Sequence, residues 1–282
     1  MAPSNSNAAD DPVQSRVAEH YARADLERTI LQTLAASGKD IERLTLDDLS
    51  PVDELHIGGR QATMAFAEQI GFAPGMHLLD IGSGLGGPSR FFAATYGVRV
   101  TGIDLTEAFV ATASALAQRV GLADRVSYRH ASALALPFDS GAFDGAYMMH
   151  VGMNIEDKRT LFAEARRVLS SGATFAIYDI MRTGPGELGF PVFWASSPET
   201  SFVAPPIEYR SALKAAGFEI AKERDRGDFA RAFFAKVKER AREGQGPTSV
   251  LARKDSPQRL ANVAGAVDAG VIAPIEIIAR AR

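Results

Sequence analysis

The chain contains no cysteine. Disulfides, thiolate nucleophiles and thiolate metal sites are excluded together. Tryptophan occurs once and histidine five times. The histidines and carboxylates show no paired ligand spacing such as His-Glu-x-x-His, so no metal site is expected. No apolar stretch approaches the roughly 18 uninterrupted residues of a membrane span. The opening MAPSNSNAADDP lacks the basic-then-apolar pattern of a signal peptide. Basic residues are not in excess: the formal net charge is −3, so no global field draws the protein to nucleic acid or anionic lipid. The basic run from Lys236 to Arg242 is balanced by Glu239 and Glu243 and reads as a solvated helix face. A cytoplasmic protein with neither nucleic-acid nor membrane partners is expected, as a monomer or homodimer.

The composition itself is ordinary and globular, with 46% hydrophobic and 23% charged residues in 282. That length allows one large α/β domain with insertions. Residues 1–11 are small and polar and are expected to be a disordered tail. A helical pattern runs from Pro12 to about Ala36, carried by Val17, Tyr21, Ile30, Leu31 and Leu34 and stopped at Gly38. A short helix and loop over 45–58 and a helix over 59–70 complete a helical lid spanning 12–72. From His77 strands and helices alternate: strand 77–81, helix 88–96, strand 98–103, helix 107–120 capped by Thr106, and strand 125–130. Strand 144–149, helix 155–170 and strand 173–181 follow. Such repetition predicts a parallel sheet covered on both faces, here within a domain spanning 73–282. Residues 183–204, rich in glycine, proline and aromatics, are too long for a tight connection and predict a cap insertion. Helix 206–217, strand 218–224, helices 227–243 and 256–268 and a strand at 275–281 end the chain.

The most informative stretch is Leu78–Arg90, LLDIGSGLGGPSR, a strand that breaks into glycines and enters a helix. Glycines there let the backbone approach a ligand closely, and the free N–H groups at the helix start face its polar groups. Gly82-x-Gly84-x-x-Gly87 also satisfies the dinucleotide fingerprint. The next strand ends in Asp104, 20 residues beyond Gly84, placed to accept both hydroxyls of a ribose. That much fits NAD and S-adenosylmethionine equally. Asp80, two residues before the first glycine, resembles the second pattern: dehydrogenase loops usually keep an apolar residue there, whereas methyltransferases place an acid near the cationic amino group of methionine.

Ala131-Ser132-Ala133, Leu136-Pro137-Phe138 and Phe143-Asp144-Gly145-Ala146 extend the pattern. Over residues 55–220 the chain resembles class I small-molecule methyltransferases that use S-adenosyl-L-methionine, notably the sarcosine/dimethylglycine and natural-product group. The resemblance implies an α/β fold: a doubly wound, seven-stranded, mostly parallel Rossmann-like sheet whose last strand inserts antiparallel beside strand five. It implies methyl transfer to nitrogen or oxygen of a small-molecule acceptor. An NAD-dependent oxidoreductase and a non-catalytic cofactor-binding protein are the alternatives.

The same resemblance assigns cofactor contacts to Asp80, Gly82, Ser83, Gly84, Asp104 and Leu105. Ser132 and Ala133 join them on the adenine side, although many relatives carry Asp where this chain has Ser132. His56 and Gly59, in ELHIGGR, resemble a loop that closes over the cofactor, and Tyr21 is expected to close the lid. His150 directly follows strand four, where acceptor and methyl group should meet; it is a candidate base and cofactor contact. Asp179, in AIYDI, matches the catalytic acid of some sugar O-methyltransferases, which carry a His where this chain has Met153. Met153, Asn154 and Trp194 are candidate substrate contacts, with Asn154 also readable as a helix cap ahead of Asp157.

Overall fold

The computed structural model describes residues 11–22, 25–243 and 253–282. Apart from Asp11, which caps the first helix, the expected disordered tail lies outside the described residues. Four helices precede the sheet: α1 (Pro12–Tyr21), α2 (Leu26–Ala36), α3 (Leu46–Asp53) and α4 (Gly59–Ala67). The single helix expected over 12–36 is therefore two. Asp25 takes a left-handed conformation (φ 55°) as the cap of α2. The break frees the two helices for different work. Ile30 and Leu34 of α2 pack with Phe109 and Leu116, while Gln14, Val17 and Tyr21 of α1 border a large cavity.

Seven strands form one sheet in the order β3-β2-β1-β4-β5-β7-β6. They are β1 (His77–Ile81), β2 (Arg99–Asp104), β3 (Val126–His130), β4 (Phe143–Met149), β5 (Leu169–Arg182), β6 (Phe218–Asp225) and β7 (Ile272–Ala281). The first five are parallel, and β7 runs antiparallel between β5 and β6. Helices α5 (Gly87–Tyr96), α6 (Glu107–Arg119), α7 (Lys158–Val168), α8 (Pro206–Ala215), α9 (Gly227–Arg242) and α10 (Ser256–Asp268) complete the layers. Alternation along β1 supplies both cores: Leu79 and Ile81 pack with Phe162 and Leu213, and Leu78 packs with Phe66 and Phe92. This is the doubly wound, seven-stranded Rossmann-like architecture expected from the sequence, with its last strand antiparallel beside β5.

Several boundaries differ: β5 starts at Leu169 instead of 173 and β7 at Ile272 instead of 275. Helix α7 starts at Lys158 because Asp157, not Asn154, caps it by accepting from Thr160 N. Thr106 stands at the start of α6 but makes no side-chain cap bond; its N–H goes to Asp104 Oδ1 at 2.8 Å. The strand order reverses at β1, where Ile81 pairs with Ile103 on one side and Met148 on the other. A ligand crevice opens at the carboxyl ends of the strands at such a switch point.

Candidate active site

At the end of β1 the chain turns through Gly82 (φ 76°) and Gly84 (φ 54°). A Cβ at Gly82 would strike the Val151 side chain, whereas one at Gly84 would meet only Leu55 at 3.8 Å. The loop is held in place by β2. Gly82 N and Ser83 N donate to Ile103 O (2.9 and 2.8 Å), and Gly84 N donates to Asp104 Oδ2 at 2.9 Å. Each Asp104 oxygen accepts one backbone N–H, Oδ1 from Thr106 and Oδ2 from Gly84, and a carboxylate oxygen can accept more than one hydrogen bond. Burial raises the Asp104 pKa against the pull of the Thr106 and Gly84 N–H groups.

The cavity above this loop encloses about 730 Å³. Tyr21, His56, Asp80, Gly82, Ser83, Gly84, Asp104, Leu105, Ser132, Ala133, His150, Met153, Asn154 and Trp194 all line it. Gly59 and Asp179 do not. The carbonyl of Gly59 is taken by His56 Nε2 at 3.1 Å, so this glycine orients the histidine rather than meeting a ligand. Asp179 is fully buried: Tyr209 OH donates to its Oδ2 at 2.7 Å and Ile180 N to its Oδ1 at 3.0 Å. Burial lifts its pKa to about 6, but Gly152 packs directly on that carboxylate, so the expected catalytic acid is a fixed part of the wall's support.

Asp80 accepts from Ser89 Oγ (2.6 Å) and Tyr147 OH (3.0 Å), both through Oδ2. Burial pushes its pKa up to about 7 despite these donors. Ser132 Oγ donates to Gln14 Oε1 of α1 at 2.6 Å and accepts from Leu134 N at 3.1 Å. Helix α1 therefore reaches the loop after β3. It also reaches the other side of the cavity, where Tyr21 OH donates to Asn154 Oδ1 at 3.1 Å. Asn154 Nδ2 donates to Trp194 O and Thr200 O (2.9 and 3.2 Å), so it tethers the 183–204 segment instead of capping a helix. Trp194 is buried with Ile57, Met153 and Phe234, and its Nε1 donates to Ser201 Oγ at 2.9 Å.

His150 follows β4 in the left-handed region (φ 55°), a conformation few non-glycine residues adopt. Its N–H donates to Tyr178 O at 2.7 Å. Its ring lies 4.9 Å from that of Tyr178 and 5.9 Å from that of His56. Among the described residues the ring makes no hydrogen bond; Nε2 is enclosed, which leaves Nδ1 to meet a ligand. Burial, with some help from the neighbouring His56, holds the His150 pKa well below the imidazole range. His56 is lowered to about 4 by burial. Thr63 Oγ1 donates to Glu54 Oε2 at 2.6 Å, so the Nε2 of His56 carries the proton toward Gly59 O and Thr63.

Three participants were not singled out from the sequence. Asp53 and Glu54 line the cavity next to His56, and Arg90 stands behind the glycine loop. Arg90 donates to Asp53 Oδ2 at 2.6 Å and to Leu85 O at 2.7 Å. The second oxygen of Asp53 is buried without a partner, as is Ser83 Oγ. Asp53 Oδ1 packs against Gly87 and Ser83 Oγ against Gly102 of β2, so both are enclosed by the protein.

The family model for a methyltransferase domain matches residues 79–177. The chain is 30% identical over 172 residues to sterol 24-C-methyltransferase ERG6B of Gibberella zeae, covering 56% of this chain and 43% of that protein. It spans about half the length of the curated relatives it matches. Among solved structures, geranyl diphosphate C-methyltransferase from Streptomyces coelicolor A3(2) superposes with a TM-score of 0.71 at 19% identity, over 97% of this chain and 99% of that one. The [4+2]-cyclase SpnF superposes with a TM-score of 0.68 at 25% identity, over 95% and 96%.

Proposed function

We propose, with the methyltransferase domain at residues 79–177 as the premise, that this protein transfers a methyl group from S-adenosyl-L-methionine to a small-molecule acceptor. The observation that carries the reading is one cavity bordered at once by the glycine loop, the Asp104 carboxylate and the ring of His150. These residues fit the cofactor's chemistry. Asp104, which lines the cavity, would accept from the two ribose hydroxyls. Asp80 lines the cavity where it would meet the ammonium, whose charge would favour its ionised form. Ser132 and Ala133 line the cavity where they would hold the adenine, and Leu105 where it would meet the ribose. Tyr21 and His56 close the lid side.

When bound, S-adenosylmethionine supplies an electrophilic methyl carbon and a sulfonium leaving group. The chain's part is to orient the acceptor, exclude water and take a proton where the nucleophile carries one. His150 suits that last task, because its depressed pKa keeps the ring neutral and Nδ1 able to accept. Asp179 supports the 152–153 turn that shapes the acceptor side. A cytoplasmic monomer or homodimer is the setting that goes with this reading.

The likeness to SpnF supports a second reading, a cavity of the same fold that performs a cyclisation. Incubation with methyl-labelled S-adenosylmethionine and a panel of small acceptors separates the two. Methyl transfer predicts S-adenosylhomocysteine formed in step with labelled product. Product formed without any consumption of the cofactor would favour cyclisation.

A further inference from the structure

Helix α1 spans the cavity between the loop after β3 and Asn154. Of its residues Val17 alone is buried, so hydrogen bonds at its two ends do much to place it. At the far end Tyr21 OH donates to Asn154 Oδ1, and His20 Nε2 lies 2.9 Å from Phe193 O. At the near end three side chains form a relay. Asp11 Oδ1 accepts from Val13 N at 2.8 Å and caps the helix, and Asp11 Oδ2 accepts from Gln14 Nε2 at 3.1 Å. Gln14 Oε1 accepts from Ser132 Oγ at 2.6 Å, and Ser132 Oγ accepts from Leu134 N at 3.1 Å. Asp11, Gln14, Ser132 and Ala133 all line the cavity.

The relay has a fixed direction. Its bonds from Gln14 and Val13 hold the Asp11 carboxyl below the usual range, so at neutral pH it is ionised and can only accept. It therefore draws the amide nitrogen of Gln14 toward itself and leaves the amide oxygen toward Ser132. The hydroxyl proton of Ser132 is committed to that oxygen. A serine hydroxyl on its own would rotate to suit a donor or an acceptor; locked by Gln14 it cannot. The two oxygens that meet here, Gln14 Oε1 and Ser132 Oγ, are both acceptors toward a ligand beside them, and a carbonyl oxygen can accept two hydrogen bonds. Resting on the methyl-transfer reading, we infer that Gln14 is a specificity-determining residue for the cofactor's base. Its Oε1 accepts from the exocyclic amino group of adenine, and Asp11 sets that polarity. A base with a carbonyl in that place would meet two oxygens and no donor. The lid helix thus reads the base as well as covering it.

Calorimetric titration with three ligands tests this without turnover. They are S-adenosylhomocysteine, its analogue with purine in place of adenine, which lacks the amino group, and S-inosylhomocysteine, which carries a carbonyl there. The wild-type protein should prefer S-adenosylhomocysteine to the purine analogue by about tenfold, within the worth of one hydrogen bond, and should bind S-inosylhomocysteine more weakly still. The absence of either preference overturns the inference. Gln14→Met keeps the side-chain length and removes the acceptor, and should lower the preference over the purine analogue to about threefold or less. If both ligands weaken alike, or neither changes, Gln14 is a lid contact only and the inference falls. Asp11→Asn keeps a capping residue but presents an amide nitrogen to Gln14, which then turns its own nitrogen toward Ser132 and the base. This variant should shift the balance toward S-inosylhomocysteine by about tenfold; an unaltered balance overturns the polarity. If the wild-type protein binds none of the three ligands, the methyl-transfer reading itself falls.

Discussion

Asp53, at the end of α3, and Arg90, in the helix after the glycine loop, form an ion pair of 2.6 Å in which both side chains are almost wholly buried. Arg90 also holds Leu85 O of the loop and Ala113 O of α6. One guanidinium therefore fixes the N-terminal helices, the loop and the next helix to one another. Removing only one member of such a pair strands a buried charge, which typically costs about 3–5 kcal/mol. Arg90→Met should lower stability by that order in urea denaturation. The double variant Asp53→Leu/Arg90→Met should regain much of the loss. Equal losses in the single and double variants would mean that Arg90 acts through its carbonyl contacts instead.

Asp104 has two kinds of work, pinning Gly84 and Thr106 and meeting the ribose. Asp104→Ala should weaken S-adenosylhomocysteine binding by tens-fold, since hydrogen bonds to a charged group are worth about 1.5–3 kcal/mol each. Calorimetric titration checks this. An unchanged affinity would remove the ribose assignment.

Asp80 makes cofactor binding pH-dependent. Its pKa of about 7 in the folded protein lies above the ordinary carboxylate value, so burial of the ionised form costs stability. Protonated Asp80 carries no such cost, so stability is undiminished below the ordinary carboxylate value and falls as pH rises toward and through 7. A cationic amino group needs the carboxylate ionised. Affinity for S-adenosylhomocysteine should therefore strengthen by up to about tenfold per pH unit on approaching pH 7 from below and then level off. Proton release on binding, read by calorimetry in buffers of different ionisation enthalpy, should vanish in Asp80→Asn. Release that persists in the variant would place the proton elsewhere.

Most of the sheet was legible in the sequence, because βαβ alternation depends on local periodicity and on glycine breaks such as Gly82 and Gly121. The ends of β1, β2 and β4 then had to converge, which brought Gly82, Asp104 and His150 together. Contacts between distant segments were not legible. Asn154 reads as a cap, yet its amide reaches Trp194 and Thr200, 40 and 46 residues on. Asp53 reads as a surface acid until Arg90, 37 residues away, is folded against it. Asp179 was misread for the opposite reason: its place at the tip of β5 is local, but the Tyr209 hydroxyl that claims it comes from α8. The break between α1 and α2 was hidden because both halves keep the same apolar spacing.

His150 is expected to be neutral across the physiological range, since burial and His56 lower its pKa well below the usual 6.5. The methyl-transfer rate should be flat through neutral pH and fall only well below that value, as protonation removes the acceptor. His150→Gln should lower kcat by roughly 10²–10⁴-fold with little change in cofactor affinity. Single-turnover rates against pH provide the check. A variant with near wild-type rates would make His150 a shaping residue.

The central claim is that the cavity over Gly82, Gly84 and Asp104 holds S-adenosylmethionine. Calorimetric titration of the protein with S-adenosylhomocysteine, and separately with NAD, tests it most directly. The account predicts saturable binding of S-adenosylhomocysteine at one site per chain and no heat from NAD. Binding of NAD with no response to S-adenosylhomocysteine would contradict it.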